Sequence, residues 1–293
     1  MPSRSINNKP RNYTFGKIMT LNYISHYFTT HGLKLHAYRL PNMGKPPLIL
    51  LHGMTDSGYC WPRVAEALMA DYDLIMPDAR GHGLSDGPRS GYMADAMASD
   101  LAVLIETLEL TQPIILGHSM GAMAAASLAA TYHHLVKAVV LEDPGWRASY
   151  VPTTEKEQAK QIKEWQRTIL KNKMQPLDAI MRYGRRQSPT WAKSEWYSWA
   201  KSKQQVNPNL TSVIRETPLP WREIASQISC PTLLITADPA RGALVTPEVT
   251  AEFVTLCPQA QTVFIPDAGH CIRRDQFELF MAALKPFLQQ VTK

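Results

Sequence analysis

Ser119 sits in Gly117-His118-Ser119-Met120-Gly121, a G-x-S-x-G that presents a hydroxyl between two glycines. The run before it, Pro113-Ile114-Ile115-Leu116, is short and apolar and reads as a buried strand. The alanine-rich run from Ala122 reads as a helix. A chain that passes from strand to helix within a residue or two must reverse sharply, which forces Ser119 into a strained conformation at the tip of the turn. Gly117 and Gly121 remove the Cβ atoms that would collide as strand and helix converge. The hydroxyl then projects above the sheet. The amides that follow open a helix N-terminus, where negative charge developing on a substrate meets oriented N–H donors. The chemistry this suits is nucleophilic attack.

A serine nucleophile needs a base, and the base needs an orienting carboxylate. His270, in Asp267-Ala268-Gly269-His270, follows the last apolar strand on a glycine-containing loop. From there it can lie over the same sheet edge as Ser119. The other histidines have structural readings. His26, His31 and His36 fall in an N-terminal hairpin, and His133 and His134 end a helix, where positive charge suits the dipole. His82 shapes the loop after its strand, and His118 is the variable residue of the serine turn.

The elements that must place these groups alternate along the chain. Ile24–Leu40 alternates polar and apolar residues around His31-Gly32 and predicts a β-hairpin. Strands are expected at Pro46–Leu51, Asp73–Met76, Pro113–Leu116, Lys137–Leu141, Pro231–Thr236 and Gln261–Ile265. Helices are expected at Trp61–Ala70, Tyr92–Leu110, from Ala122, at Thr246–Leu256 and at Asp275–Val291. Nearly all-apolar strands alternating with helices predict an α/β fold with a mostly parallel sheet covered on both faces. Between Pro144 and Arg222 the pattern turns helical but irregular. Six of the seven tryptophans lie there, and its basic residues outnumber its acidic ones by fifteen to six, so the positive balance of the chain belongs to this insertion. It reads as a helical cap over the carboxyl edge of the sheet. The expected division is an arm at 1–23, a core at 24–143 and 223–293, and a cap at 144–222.

The 293 residues carry a formal charge of +6, but the basic residues form no nucleic-acid-binding motif. No apolar run approaches the ~20 residues needed to span a bilayer. The N-terminus is polar and basic without an apolar stretch of signal-peptide length, so a cytoplasmic protein is expected. Cys60, Cys230, Cys257 and Cys271 show neither a C-x-x-C pair nor metal-ligand spacing and read as reduced thiols. Gly81-His82-Gly83 is no dinucleotide fingerprint. Neither a cofactor nor a metal is expected, and the expected partner is a small ester-type molecule rather than nucleic acid or membrane. The oligomeric state is left open.

With Leu50-Leu51-His52-Gly53, Pro77–Ser85 (PDARGHGLS), Gly117–Gly121 (GHSMG), Leu233–Asp238 (LLITAD) and Asp267–His270 (DAGH) in that order, the chain resembles the α/β-hydrolase family from about residue 24 to its C-terminus. The resemblance implies that Ser119 is the nucleophile and His270 the general base, then acid. It implies an oxyanion hole from the backbone N–H of Met120 and of Met54, leaving the side chains of both methionines free to line an acyl pocket. The family usually takes the acid after the strand that here ends at Thr236, where Asp238 stands; the commoner spacing falls two residues later, on Ala240. Other members take it from the strand before the cap, where this chain offers Glu142 and Asp143. Asp238 is the first expectation and the Glu142-Asp143 pair the alternative. Asp78, Arg80, His82 and Ser85 match a family motif that builds a loop.

A serine at the turn excludes the aspartate-ester route of the family's dehalogenases and epoxide hydrolases. Hydrolysis of carboxylic esters through an acyl-enzyme is the leading expectation, with lactones, thioesters, amides and activated C–C bonds behind it. Two readings of other classes are a small-molecule receptor and a cofactor-free perhydrolase or haloperoxidase. Tryptophans that pack the insertion and cations on its solvated face are the plainer reading of its composition; an apolar acyl group with an anionic tail is the alternative.

Overall fold

All residues of four strands are buried: β5 (Asp73–Asp78), β6 (Ile114–His118), β7 (Ala138–Glu142) and β8 (Thr232–Ala237) in the chain's numbering of elements. Strands buried on both sides need helices on both faces, and the chain supplies them. The computed structural model describes residues 10–12, 22–217 and 220–293. The remaining strands are β1 (Pro10–Asn12), β2 (Asn22–Thr30), β3 (Leu33–Leu40), β4 (Pro47–Leu51) and β9 (Ala260–Ile265). Together they form one sheet ordered β1-β2-β3-β5-β4-β6-β7-β8-β9. From β5 to β9 neighbours run parallel, and the hairpin strands add antiparallel at one edge. Most of the expected N-terminal arm, residues 1–9 and 13–21, lies outside the described residues.

Period-two alternation sorts the strand residues between two cores. Ile49, Leu51, Ile115, Val139, Leu141 and Leu234 point to one; Leu48, Leu50, Leu116, Val140, Leu233 and Ile235 point to the other. α2 (Ala94–Thr107) and α3 (Met120–Thr131) cover the first with Leu101, Leu104, Ala125 and Leu128. α1 (Pro62–Leu68) covers the second with Val64 and Leu68. Between β7 and β8 the chain runs through α4 (Glu155–Met174), α5 (Leu177–Gln187), α6 (Glu195–Gln205) and α7 (Trp221–Gln227). It then continues with α8 (Pro247–Leu256), α9 (Ile272–Asp275) and α10 (Phe277–Thr292). The expected closing helix, Asp275–Val291, is α10, and the short α9 precedes it. Gln276, at φ −135°, leaves the helical region and separates them.

A buried ionic cluster fastens α6 to the core. Asp56 accepts from Lys203 at 2.8 Å and from Arg274 at 2.9 Å, with Arg273 at 3.6 Å. Arg274 also pairs with Glu195 at 3.0 Å, and Arg273 with Glu142 at 3.0 Å. The tryptophans back these cations: Arg273 lies over Trp61, Arg274 over Trp191 and Lys203 over Trp199. Burial alone would push the Asp56 carboxyl up, but Arg274, Lys203 and Arg273 hold it well below its ordinary range.

Two outcomes are expected. Gly121→Ala would place a Cβ 2.3 Å from the carbonyl oxygen of Leu51, and backbone cannot swing aside; it should cost about 1–3 kcal/mol in urea or thermal unfolding. Asp56→Asn leaves Lys203 without a carboxylate and takes one from Arg274 and Arg273, and should cost about 3–5 kcal/mol. In the wild type, the stability Asp56 contributes is complete above its ordinary value of 3.8 and is lost as pH falls through the depressed folded value. The variant's stability should lack that acid-side decline.

Candidate active site

The parallel strands deliver their carboxyl ends to one rim, and the chemistry-bearing loops leave from it. After β6, Ser119 takes φ 54° and ψ −113°, a conformation rare for a residue with a Cβ, and caps α3. The turn is held by the Ser119 N–H donating to the Glu142 carbonyl at 2.9 Å and by the Met123 N–H donating to the Ser119 carbonyl at 3.0 Å. A Cβ on Gly117 would lie 2.3 Å from the Gly121 carbonyl oxygen, so the close approach of strand and helix requires glycine there.

His270 stands over this turn. Its Nε2 is 3.0 Å from Ser119 Oγ, and its Nδ1 is 2.6 Å from Asp143 Oδ2. A carboxylate can only accept, so Nδ1 carries the proton and Nε2 offers its lone pair to the hydroxyl. The imidazole is about one-third exposed, at 32%, while Asp143 is wholly buried. The loop is pinned on three sides. His118 Nε2–H donates to the His270 carbonyl at 2.9 Å, and the Gly269 N–H donates to Asp275 at 2.9 Å. Trp191 of the insertion donates its indole N–H to the same Asp275 at 2.7 Å. Burial pushes His118 well below its ordinary range, which keeps that ring neutral.

The carboxylate behind the imidazole is therefore Asp143, and the first expectation, Asp238, is corrected. Asp238 follows β8, but its side chain accepts the N–H of Ala240 at 2.8 Å and lies 4.0 Å from Arg241, capping the short turn Pro239–Arg241. Asp143, at φ 42°, turns inward instead. Leu244 donates its N–H to Asp143 Oδ2 at 2.9 Å, and Val245 donates to Oδ1 at 2.9 Å. Those two amides and the imidazole fix the carboxylate's orientation. Glu142, the other alternative, points elsewhere: it accepts the N–H of Arg273 at 2.9 Å and pairs with its guanidinium. It anchors the segment that follows His270.

Among the described residues no acceptor engages the N–H of Met54 or of Met120. Met54 follows β4 in a turn closed by the Asp56 N–H on the Gly53 carbonyl at 3.1 Å. The Met120 side chain is buried in the core with Met97 and Leu101, while Met54 is half-buried against that core. The Asp78 loop is structural, as its motif implied. Asp78 accepts from Gly58, Leu84 and His36, and Arg80 makes two bonds to Asp100. His82 goes further than the sequence suggested. Burial lowers its pKa to about 3, and its Nε2 accepts the Thr55 N–H at 3.1 Å. Lys203, Arg273, Arg274 and Asp275 were missed. Their type and spacing carry no signal, because their partners lie far away in the chain.

Among the described residues no helix is long and apolar enough to cross a membrane. A family model described as alpha/beta hydrolase fold matches residues 46–273. N-formylmaleamate deformylase of Pseudomonas putida is 30% identical over 272 residues, covering 89% of this chain and 94% of that one. 2-(Acetamidomethylene)succinate hydrolase of Mesorhizobium japonicum is 42% identical over 101 residues, 34% of this chain and 36% of that one. The first-ranking curated relatives are matched over only 34–36% of their own length. The crystal structure of E-2-(acetamidomethylene)succinate hydrolase superposes with a TM-score of 0.74 at 23% identity, covering 91% of this chain and 99% of that one, a likeness of fold. With that match across most of its length and a relative aligned nearly end to end, this chain belongs to the α/β-hydrolase family.

Proposed function

We propose that this protein is a serine hydrolase that cleaves carboxylic esters through an acyl-enzyme. The observation that carries this reading is the unbroken run of two hydrogen bonds, Ser119 Oγ to His270 Nε2 and His270 Nδ1 to Asp143. Ser119 attacks the acyl carbon as His270 Nε2 takes its proton, and the imidazolium that forms is stabilised by Asp143. The backbone N–H groups of Met54 and Met120 stabilise the oxyanion. As the tetrahedral species collapses, the bond to the leaving oxygen breaks and His270 returns the proton to it. A water then repeats the sequence on the acyl-enzyme, releasing the carboxylic acid and restoring Ser119. Residues 144–222 act as a cap over the rim, a reading supported by the bonds from Trp191 to Asp275 and from Lys203 to Thr55.

A second reading, hydrolysis of an amide-type C–N bond, is favoured by one observation. The relative aligned over 272 residues is named a deformylase of N-formylmaleamate. The same residues serve; His270 would then protonate a leaving nitrogen.

Three outcomes are expected. A fluorophosphonate should label the wild type at Ser119, and Ser119→Ala should abolish both labelling and ester turnover, a loss of roughly 10⁶-fold. Asp143→Asn should cut kcat by about 10⁴-fold, because an amide cannot hold the imidazole in its working tautomer, whereas Asp238→Asn should stay within about twofold of wild type. On a panel of p-nitrophenyl esters and N-formyl amides, faster ester cleavage supports the first reading and faster amide cleavage the second. Binding without turnover, or peroxide-dependent activity above hydrolysis, would overturn both.

A further inference from the structure

Thr55 is a β-branched residue at φ 68°, in the left-handed region that favours glycine. It is the third residue of the Gly53–Asp56 turn, directly after Met54. A side chain like this returns to extended backbone unless its surroundings hold it. If it did, the Asp56 N–H that follows it would leave the Gly53 carbonyl, the turn would open, and the Met54 N–H inside it would lose its fixed direction.

Two groups hold Thr55. From the core, His82 Nε2 accepts its N–H at 3.1 Å. From the insertion, Lys203 Nζ donates to its carbonyl oxygen at 3.1 Å and its Oγ1 at 2.9 Å. The third ammonium proton goes to Asp56 Oδ1 at 2.8 Å. All three donors of this ammonium therefore end on two consecutive residues of one turn. The side chain is 12% exposed, and its charge rests 5.0 Å from the Trp199 ring. A lysine needed only to dock α6 would require one carboxylate. Docking also has other fasteners, Glu195 with Arg274 and Trp191 with Asp275.

We infer that Lys203 is a positioning residue of the reaction, by which the insertion holds the strained Thr55 and thereby aims the Met54 N–H at the developing oxyanion. This rests on the hydrolase reading given above. The oxyanion hole acts on the transition state more than on bound substrate, so losing its alignment lowers kcat and spares KM.

The experiment compares Lys203→Met, Lys203→Gln and the exposed neighbour variant Lys201→Met with wild type. The assays are p-nitrophenyl ester hydrolysis and the rate of fluorophosphonate labelling, with near-UV circular dichroism confirming the native fold. Lys203→Met should lower kcat and the labelling rate by about 10- to 100-fold with KM within about twofold, while Lys201→Met stays at wild-type values. Lys203→Gln keeps a donor toward Thr55 and should lose less; if Lys203→Met does not fold, it carries the measurement with the same pattern of lowered kcat and unchanged KM. A folded Lys203 variant with wild-type kcat, or one whose loss lies in KM alone, overturns the inference. If the wild type is neither labelled at Ser119 nor active on any acyl substrate, the hydrolase reading itself has failed. An active, labelled wild type beside fully active Lys203 variants sinks the inference alone.

Discussion

The ring of His270 has a hydroxyl at one nitrogen and a carboxylate at the other, and these two partners come from different strands. Ser119 leaves β6, Asp143 leaves β7, and the imidazole arrives on a loop more than 120 residues later in the chain. β6 and β7 are neighbours in the sheet, about 4.8 Å apart, so the hydroxyl and the carboxylate leave adjacent strand ends of one rim. The ring with its two hydrogen bonds spans more than that spacing, and the loops after β6 and β7 supply the rest while they aim the groups.

That spacing explains what the sequence could and could not reveal. The strand–helix rhythm, the hairpin and the serine turn were legible, because each is written in neighbouring residues: apolar runs, alternation, two glycines around Ser119. The positions of Ser119 and His270 followed from the order of those elements. The choice between Asp238 and Asp143 did not, since both follow a strand end. It is decided by the inward twist at Asp143 and by the amides of Leu244 and Val245, a hundred residues away. Lys203 and the paired arginines were equally hidden. A buried charge looks like any surface charge until its partner is located.

The insertion shows the same division. Its six tryptophans were expected to be packing residues, and those the structure describes in contact are stacked or edge-on. Trp146 lies against Trp221, and Trp191, Trp196 and Trp199 surround one another. Most of its cations are exposed, but Lys203 is turned inward, where the aromatic faces and Asp56 take the place of water. The plain reading of the composition thus holds for the group, and it missed the member whose environment is different.

Seven non-glycine residues adopt positive φ among those described, and four of them, Thr55, Ser119, Asp143 and Asp267, lie on the loops of the rim. Each holds a conformation that costs a residue with a Cβ about 1–3 kcal/mol, and at Asp143 the buried amides of Leu244 and Val245 offset part of that cost. The molecule is held short of its most durable form, and the shortfall is concentrated where the reacting groups must already stand in place before a substrate arrives.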